Sequence, residues 1–511
     1  MKKPLILFAP RFQDWPIELV RSASYKIPDF SFVALVTGGK PTADKVTALT
    51  LGLSATIYNL DELEREWISH EPSESERKTV TEYWSGLDLK RIIIGDRNIG
   101  HRYVKGGIHP QTALSKACRD DEILERYVNN LCAWVHRCAM QDQFDSVVCY
   151  AVAGAPAIAL ALFCRNTHRN FCRFTASRIG NFSLLDTSYR DEYIPARRRY
   201  LNYAKVGARE DEHSDFARKY LYEFRSAPRR PDFAIHNQRE MQKKLSFTQI
   251  LRTGASALAR DIKGRFGKRY LRSAFGIGSV VRAVFGPLRA ARLLNHWPYQ
   301  AKRDIAGRAY VYYPLHVDPE ASTMVLSPMF TDQLAVIEAL SKALPLGMRL
   351  VVKEHFPMLG NRPSNFYREL LGFGNTILVS PKENAFELIK EASIVCVITG
   401  TTGLEALMLG RPVVAVGATP FEMIGEGLVR CSDFDDLPDA LRRAQQTAPA
   451  SDRKLIAYLA ALHSISLDFD LWRQQPEQMT SERRAELVAK MWAAMDCFFE
   501  EPVVPSEGNG E

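Results

Sequence analysis

A turn of small residues between apolar runs is the first feature of this chain that could do chemistry. The run 394–398 is apolar and β-branched, the turn Gly400–Gly403 follows it, and a helix-like stretch then carries Glu405. Backbone N–H groups at the start of a helix attract anions. A carboxylate about one turn further on can accept hydrogen bonds from ribose hydroxyls. The pattern predicts a phosphate-sized site with Glu405 beside it, and a tight turn with a surface glutamate is the alternative.

Three more polar runs follow predicted strands, namely Pro314–Thr323, Lys353–Pro357 and Ser380–Glu383. Ligands bind at the carboxyl ends of parallel strands, so we expect these runs to line one cleft with the turn. A phosphate-linked donor needs cations and N–H groups for its leaving phosphate and carboxylates for its sugar hydroxyls. The runs supply both kinds of group. The candidates for catalysis are His316 and His355, and those for donor binding are Lys353, Glu354, Glu320, Gly400 and Glu405.

Apolar strands and amphipathic helices alternate in both halves of the chain, which predicts parallel, doubly wound sheets. The fold class is therefore α/β, with two Rossmann-like domains facing a cleft (GT-B type), a helical basic insertion hung from the first domain and a C-terminal crossover helix. A two-domain dehydrogenase is disfavoured because no G-x-G-x-x-G follows either first strand. The predicted divisions are 1–190 for the N-terminal acceptor domain, 191–304 for the insertion, 305–475 for the donor domain, 476–500 for the crossover helix and 501–511 for a disordered tail.

The first domain should supply the acceptor site and a base or nucleophile. Asp96 follows the apolar run 92–94, which predicts a carboxylate at a strand end. Such a group could deprotonate an acceptor hydroxyl or attack the anomeric carbon. The alternative is an ordinary ion pair with Arg97. Weaker candidates are Asp191 and Glu192, and His101 and His109 lie in a polar loop that could border the acceptor cleft.

The formal charge of +8 comes from one segment. Residues 241–303 hold fourteen Lys or Arg against Asp261 alone, which gives +13, so the rest of the chain carries −5. Apolar and aromatic residues alternate with these cations, a pattern typical of a helix lying on an anionic membrane. A solvated charged surface is the alternative, and no nucleic-acid motif accompanies the charge.

Composition, apolar runs and cysteine spacing limit the class of protein to which this chain can belong. Apolar residues make up 46% of the 511 residues and charged ones 25%, as in ordinary globular proteins. No apolar run reaches the length of a spanning helix, and the N-terminus does not have the pattern of a signal peptide, so we expect a cytoplasmic protein. Nine cysteines without a C-x-x-C pair indicate reduced thiols rather than zinc ligands or disulfides, and we expect no metal and no cofactor.

The motifs of the second half also resemble those of a known family. They are Tyr313-Pro-Leu-His-Val-Asp-Pro-Glu-Ala-Ser-Thr323, Val352-Lys-Glu-His355 and Thr399-Gly-Thr-Thr-Gly-Leu-Glu-Ala406 followed by Gly410-Arg-Pro412. Together they look like the capsule polysaccharide biosynthesis family. The match is dense from about Tyr310 to Gly417 and thinner before it, where Ile94-Gly-Asp-Arg97 and Ser177-Arg-Ile-Gly180 are similar.

The resemblance implies a glycosyltransferase acting on a surface glycan. Better-known members transfer Kdo from CMP-Kdo to a membrane-embedded glycolipid, which implies a nucleotide sugar and a lipid-linked acceptor as partners, at the inner membrane. His355 would match the family's His-Pro motif, with Phe356 as a departure because it separates the histidine from Pro357. By the same resemblance Thr401, Thr402 and Gly403 would bind phosphate.

Two other functions stay open at this point. A nucleotide-sugar epimerase similar to UDP-N-acetylglucosamine 2-epimerase shares the architecture but needs no lipid surface, so the basic segment disfavours it. A non-catalytic assembly protein that keeps the fold is disfavoured by the intact His355, Gly403 and Glu405. The sugar, its nucleotide, the acceptor, the stereochemistry and the oligomeric state are not determined by the sequence.

Overall fold

The computed structural model contains two sheets, each at the centre of a Rossmann-like domain. It describes residues 3–10, 14–109, 111–150, 152, 154–206, 210–229, 270–273, 277–470 and 473–500, with scattered positions from 248 to 262. The predicted tail 501–511 and most of the basic segment before Tyr270 lie outside the described residues. All nine cysteines are free thiols, and eight of them are buried.

The first sheet has seven strands in the order β13-β6-β5-β4-β1-β2-β3. β1 to β5 run parallel to one another, while β6 is antiparallel to both of its neighbours, β5 and β13. The strands are β1 Pro4–Phe8, β2 Ser31–Val36, β3 Ser54–Asn59, β4 Ser146–Cys149, β5 Asn170–Ala176, β6 Ser183–Asp186 and β13 Ser466–Leu467.

The second sheet has six parallel strands in the order β12-β11-β10-β7-β8-β9. Counted within the domain this is the order 3-2-1-4-5-6 of the doubly wound fold, whose switch point lies between β7 and β10. Every residue of β10 is buried, as expected of a strand with helices on both faces. The strands are β7 Tyr310–Pro314, β8 Arg349–Lys353, β9 Thr376–Val379, β10 Ile394–Val397, β11 Val413–Ala415 and β12 Leu428–Arg430.

Helices cover both sheets, and the α/β class with two Rossmann-like domains is confirmed. Those before the second sheet are α1 Asp14–Lys26, α2 Lys40–Leu49, α3 Leu60–Ser69, α4 Glu74–Trp84, α5 Lys90–Ile94, α6 Ala113–Ala117, α7 Asp121–Gln141, α8 Ala155–Asn166, α9 Ile194–Val206, α10 Glu212–Ser226, α11 Ile277–His296 and α12 Lys302–Ile305. The later ones are α13 Ala321–Met324, α14 Gln333–Ala343, α15 Phe366–Gly372, α16 Ala385–Glu391, α17 Thr402–Met408, α18 Leu437–Gln446, α19 Asp452–Ser464 and α20 Ser481–Glu500.

The run 92–94 is helical, so the strand predicted before Asp96 is wrong. It belongs to α5, which buries Ile92 and Ile93 against α8. Three β-branched residues favour a strand locally, but burial against a neighbouring helix decides the conformation.

Helices α9 and α10 belong mainly to the second domain, although the sequence assigned them to an insertion on the first. Both pack on α19, and the apolar face of α10 joins the same core cluster as β10 through Ala217, Leu221 and Phe224. The chain returns to the first domain at β13, where Ser466 pairs with Leu184 of β6.

The C-terminal helix α20 packs on the first domain. Its apolar stripe is buried with residues of β1, β2 and α1 in one core cluster. The stripe consists of Leu487, Val488, Met491, Trp492 and Met495. The chain therefore crosses from the second domain back to the first, and α20 is part of the first domain's core.

Candidate functional site

Arg362 connects the loops that follow β7 and β8. Its side chain is fully buried, and its Nε and Nη2 donate to the two oxygens of Glu354 at 2.8 and 3.0 Å. Nη1 donates to Asp318 Oδ2 at 2.8 Å and to the Gly106 carbonyl at 2.9 Å, and Nη2 also donates to the His316 carbonyl at 2.7 Å. A guanidinium has five N–H donors in one plane, and here these five bonds use them all. No sequence motif marks this residue, which is a single arginine before a helix.

Glu354 lies in the interior of the second domain, so the expectation that it binds the donor directly is wrong. Besides Arg362, its carboxylate accepts the His355 backbone N–H at 2.7 Å and the Tyr367 hydroxyl at 2.8 Å. Four donors fill the carboxylate, and it is fully buried. Its effect on the site is indirect, because it fixes the backbone that carries His355.

The aromatic residue after His355 does not displace that histidine from the surface. His355 is exposed, whereas Phe356 begins a short 3-10 helix and buries its ring in the core. The Lys353 side chain is also buried, with its ammonium 5.8 Å from the centre of the Phe356 ring. The loop after β8 therefore presents His355 to solvent and keeps Lys353 beneath it.

His316 is buried directly against the Gly400 turn. Only 7% of the residue is exposed, and neither ring nitrogen has a hydrogen-bond partner among the described residues. A Cβ built on Gly400 would lie 3.2 Å from its Nε2, so the imidazole faces the backbone of the turn. Burial, helped by the nearby cations of His355, Arg362 and Arg178, lowers the pKa of His316 to about 3. The ring is neutral at pH 7 and offers one donor and one acceptor.

The turn itself lies between β10 and α17. Thr401 is the N-cap residue of α17, and its side chain makes no cap hydrogen bond. Gly403 has a packing reason to be glycine, because a Cβ there would lie 2.5 Å from Cζ of Phe421. Gly400, Thr401 and Thr402 are half-buried, and only Gly403 is inside the core.

Two carboxylates flank the turn. Glu405 is half-buried in the first turn of α17 and lies near Tyr220 of α10, where burial and then this carboxylate raise the pKa of the tyrosine hydroxyl. Glu320 is also half-buried, and its Oε2 accepts the Ser322 hydroxyl at 2.8 Å. The Ser322 carbonyl in turn accepts the Thr399 hydroxyl at 2.7 Å, which ties the β7 loop to the turn.

Asp96 is enclosed in the first domain and cannot serve as the acceptor base that the sequence suggested. Its Oδ2 accepts the Ala155 N–H and Arg272 Nη2, both at 2.8 Å, and Oδ1 accepts the Asn98 and Ile99 N–H groups at 2.8 and 3.2 Å. Burial raises its pKa, but Arg272 and the N–H donors outweigh burial, so the pKa is lowered. The carboxylate is ionised, fully bonded and fully buried. It occupies the N-terminus of α8 as a bound anion would.

Residues 270–273 cover the carboxyl edge of the first sheet. The Tyr270 hydroxyl accepts the Gly38 N–H at 3.0 Å, and the Leu271 N–H donates to Asp61 Oδ1 at 2.7 Å. Arg272 donates to Glu64 as well as to Asp96. The middle of the basic segment is therefore anchored in the first domain, and Arg272 is not available to a membrane.

An arginine of the first domain reaches the turn of the second. Arg178 follows β5, and its Nη1 donates to the Thr399 carbonyl at 3.2 Å while Nη2 donates to Asp191 Oδ2 at 2.5 Å. Asp191 is buried and also pairs with Arg173, so it is a structural carboxylate rather than an acceptor base. Sequence reasoning did not assign Arg178 a role, although the run Ser177–Gly180 around it was one of the similar motifs.

The predicted histidine loop forms the contact between the domains. The His101 and His109 ring centres are 5.4 Å apart, and burial, followed by the charge of His101, lowers the pKa of His109 to about 4. In the same loop Gly107 is so close to the Asp318 backbone that a Cβ would lie 2.5 Å from its carbonyl oxygen. The Ile108 N–H donates to the Asn361 carbonyl at 2.7 Å. These histidines therefore border the interface beside the β7 loop.

Helix α11 lies across this interface. Arg282 donates to Asn361 Oδ1 at 3.1 Å and to the Ile108 carbonyl at 3.0 Å, and Leu293 is buried in the core of the second domain. Phe285 and Leu288 on the same helix are 59% and 50% exposed. No helix of the described residues is long and apolar enough to cross a membrane, and no three metal-ligating side chains of that part of the chain lie together.

Comparison with known proteins agrees with the motifs. Residues 270–461 match the model of the capsule polysaccharide biosynthesis protein family, which confirms the resemblance drawn from the sequence. No curated protein sequence matches the chain.

Solved structures similar to this chain include two from Thermosulfurimonas dismutans. The β-Kdo 2,7-transferase of Thermosulfurimonas dismutans KpsC is 15% identical, with 70% of this chain and 88% of that chain covered and a TM-score of 0.35. The β-Kdo 2,4-transferase of the same protein is 12% identical, with 62% and 79% covered and a TM-score of 0.33. UDP-GlcNAc 2-epimerase of Neisseria meningitidis is 11% identical, with 90% and 98% covered and a TM-score of 0.23.

Proposed function

We propose that this chain is a nucleotide-sugar-dependent glycosyltransferase of bacterial capsule or surface polysaccharide synthesis. The observation that carries the proposal is that the segment matching the family model contains the whole polar site at the carboxyl edge of the second sheet. His316, His355, the Gly400 turn and Glu405 come from three strand ends of that edge. The first sheet's edge is covered by residues 270–273, which favours the second domain as the nucleotide domain.

The residues divide between the two ends of the donor. Glu405 accepts hydrogen bonds from the ribose hydroxyls, and the turn Gly400–Thr402 holds the phosphate. His316, as a neutral imidazole, donates its N–H to a phosphate oxygen, and the exposed His355 offers a ring N–H at the loop after β8, with the charge of Lys353 buried beneath it. Glu320 is placed to accept from a sugar hydroxyl. CMP-Kdo is the donor that the family resemblance favours.

In the reaction the acceptor hydroxyl oxygen bonds to the anomeric carbon, the bond from that carbon to the phosphate oxygen breaks, and the hydroxyl proton is released to solvent. The leaving phosphate keeps the electron pair, so its negative charge grows in the transition state. Hydrogen-bond donors held in place before the reaction stabilise such a charge most effectively. The Arg362 network helps to hold such donors in place, because Arg362 bonds to the His316 carbonyl and, through Glu354, to the His355 N–H.

Replacing His355 or Glu405 with alanine should weaken nucleotide binding while the protein stays folded. Each change removes one charge-assisted hydrogen bond, worth about 1.5–3 kcal/mol, which corresponds to roughly ten- to a hundredfold in affinity. The measurement is calorimetric titration with CMP, UDP, GDP and ADP, preceded by a thermal-shift screen of the same four nucleotides.

The matched controls are His70→Ala and Glu82→Ala, both at exposed positions of the first domain. They should bind the nucleotide like the parent. Equal affinity in the parent and in both site variants would remove this site assignment, and no binding by the parent to any of the four would remove the proposed function.

The proposed acceptor is a lipid-linked glycan, reached at the cytoplasmic face of the inner membrane. Support comes from the exposed Phe285 and Leu288 on α11 and from the cations of the basic segment. The structure removes three cations from the possible lipid contacts. The Arg272 side chain is only 11% exposed and pairs with Glu64 and Asp96, and Arg282 and Lys302 bond to other parts of the protein. The remaining cations and the exposed apolar side chains are the proposed lipid contact.

The protein should co-sediment with vesicles that contain anionic lipid and much less with neutral vesicles. Each basic residue near the surface contributes about 1 kcal/mol, an attraction that salt screens. Changing Arg265, Lys268 and Arg269 to glutamate should abolish most of the sedimentation and lower activity on a lipid-linked acceptor. Activity on a short soluble acceptor should persist.

The matched control makes the same charge change on another surface, with Lys78, Arg119 and Lys219 replaced by glutamate at exposed positions. This variant should sediment like the parent. If the two triple variants bound anionic vesicles equally, the basic segment would have no specific role at the membrane.

A further inference from the structure

Arg178 belongs to the first domain but contacts the backbone of the second domain's site. Its guanidinium donates to the Thr399 carbonyl, the last residue before the Gly400 turn. The other terminal nitrogen, Nη2, donates to the Asp191 carboxylate, and only 16% of the arginine side chain is exposed. The guanidinium is thus fixed at one place, beside the turn.

The backbone around Arg178 is held in an unfavourable conformation. Arg178, Asp191 and Tyr193 have φ of +67°, +54° and +49°, a left-handed region that residues with a Cβ rarely adopt. Local bonds maintain the shape, since the Ser177 hydroxyl donates to the Ile179 carbonyl at 2.8 Å and the Tyr193 N–H donates to Asp186. Residues kept in such conformations cluster at active sites and ligand clamps. The shape brings Arg178 to the domain interface.

His316 faces the same turn. Its two ring nitrogens are buried without a partner among the described residues, and the ring lies against Gly400. The charge of Arg178 is one of those that act on the ring. Arg178 therefore contacts Thr399, and His316 faces the next residue, Gly400. A guanidinium and a neutral imidazole side by side on one loop are a pair of donors suited to the oxygens of a phosphate.

We propose that Arg178 binds the phosphate of the donor together with His316, so that the first domain completes the donor site of the second. This inference rests on the proposed function, because it takes the ligand to be a nucleotide sugar. The acidic neighbours of the guanidinium are Asp191 and, through Arg173, Asp186. These carboxylates balance the charge of Arg178 and fix its orientation. Arg178 itself can donate to a bound phosphate as well as to the Thr399 carbonyl.

The test compares a nucleotide with its nucleoside. Calorimetry measures the affinity of the parent, of Arg178→Gln and of Arg178→Lys for the nucleotide that binds best among CMP, UDP, GDP and ADP, and for the matching nucleoside. Arg178→Gln should lose ten- to a hundredfold in affinity for the nucleotide and less than about twofold for the nucleoside. Arg178→Lys should fall between, because it keeps the charge but not the fork. The control is Arg77→Gln, at a site whose side chain is 53% exposed on α4.

The outcomes separate the two proposals. Nucleotide affinity that is unchanged in both Arg178 variants, or that falls equally for nucleotide and nucleoside, overturns this inference. If Glu405→Ala still weakens nucleotide binding in that case, the proposed function stands without it. A parent that binds none of the four nucleotides overturns both. If Arg178→Gln melts far below the parent, the test uses Arg178→Lys instead. The same comparison, the loss of nucleotide affinity against the loss of nucleoside affinity, then decides the inference.

Discussion

Replacing Arg362 with leucine should destabilise the folded chain by about 3–5 kcal/mol, the usual cost of leaving one side of a buried ion pair uncompensated. Two carboxylates, Asp318 and Glu354, would lose their cation, and the carbonyls of His316 and Gly106 would lose a donor. The measurement is denaturant unfolding at pH 7.5. Nucleotide affinity should fall as well, because the loops that carry His316 and His355 lose their common anchor.

Two variants control this result. Arg368→Leu removes an exposed arginine six residues later, on α15, and should leave stability within about 0.5 kcal/mol of the parent. Arg362→Lys keeps the charge but has one nitrogen for five acceptors, so it should resemble the leucine variant more than the parent. A leucine variant as stable as Arg368→Leu would show that the network contributes little.

The pH dependence supplies an independent check on the same network. Burial raises the pKa of Asp318 to about 6, although Arg362 opposes the rise. Between about pH 4 and 6 the native state therefore binds more protons than the unfolded chain, and this group's contribution to stability falls as pH rises. Without Arg362 the pKa of Asp318 rises further. The loss of stability with rising pH then continues above pH 6. The difference in free energy of unfolding between the parent and the leucine variant should thus be smaller at pH 5 than at pH 7.5.

Local sequence pattern predicted most of the second domain. Buried β-branched runs such as 394–397 and the polar runs after them are short-range features, and a parallel sheet necessarily brings its strand ends to one edge. The placement of His316, His355 and the Gly400 turn on that edge follows from pattern alone. Their neighbours could not be predicted in this way, because Arg178 meets Thr399 across 221 residues and Arg362 meets Gly106 across 256.

The errors have the same origin. The run 92–94 has the composition of a strand and becomes a helix because α8 covers it. Helices α9 and α10 precede the second domain in sequence. Their apolar faces nevertheless pack on α19, which comes more than 200 residues later. Asp96 looked catalytic because it follows an apolar run that predicted a strand end, and the alternative paired it with Arg97, whereas its partner is Arg272, 176 residues along the chain. Long-range pairing decides whether a polar residue is structural or available.

Replacing Arg272 with methionine should destabilise the first domain by about 3–5 kcal/mol, because Glu64 and Asp96 would remain as two buried carboxylates without a cation. Burial already raises the pKa of Glu64 against the opposing effect of Arg272, and losing the arginine raises the pKa of both carboxyls. The unfolded state then binds fewer protons than the native one over a wider pH range, so the deficit should shrink as the pH is lowered from 7.5 to 5.

The rescue variant distinguishes charge from packing in this result. Adding Glu64→Gln and Asp96→Asn to Arg272→Met leaves no buried charge in the cluster, and replacing a buried ion pair by neutral groups is often close to neutral. The triple variant should therefore recover a large part of the lost stability at pH 7.5, and its own stability should lack the pH dependence that these two carboxyls cause in Arg272→Met. Because Arg272 is inside the protein, the folded triple variant should also bind anionic vesicles like the parent. A loss of vesicle binding in that folded variant would place Arg272 at the membrane and contradict its burial between Glu64 and Asp96.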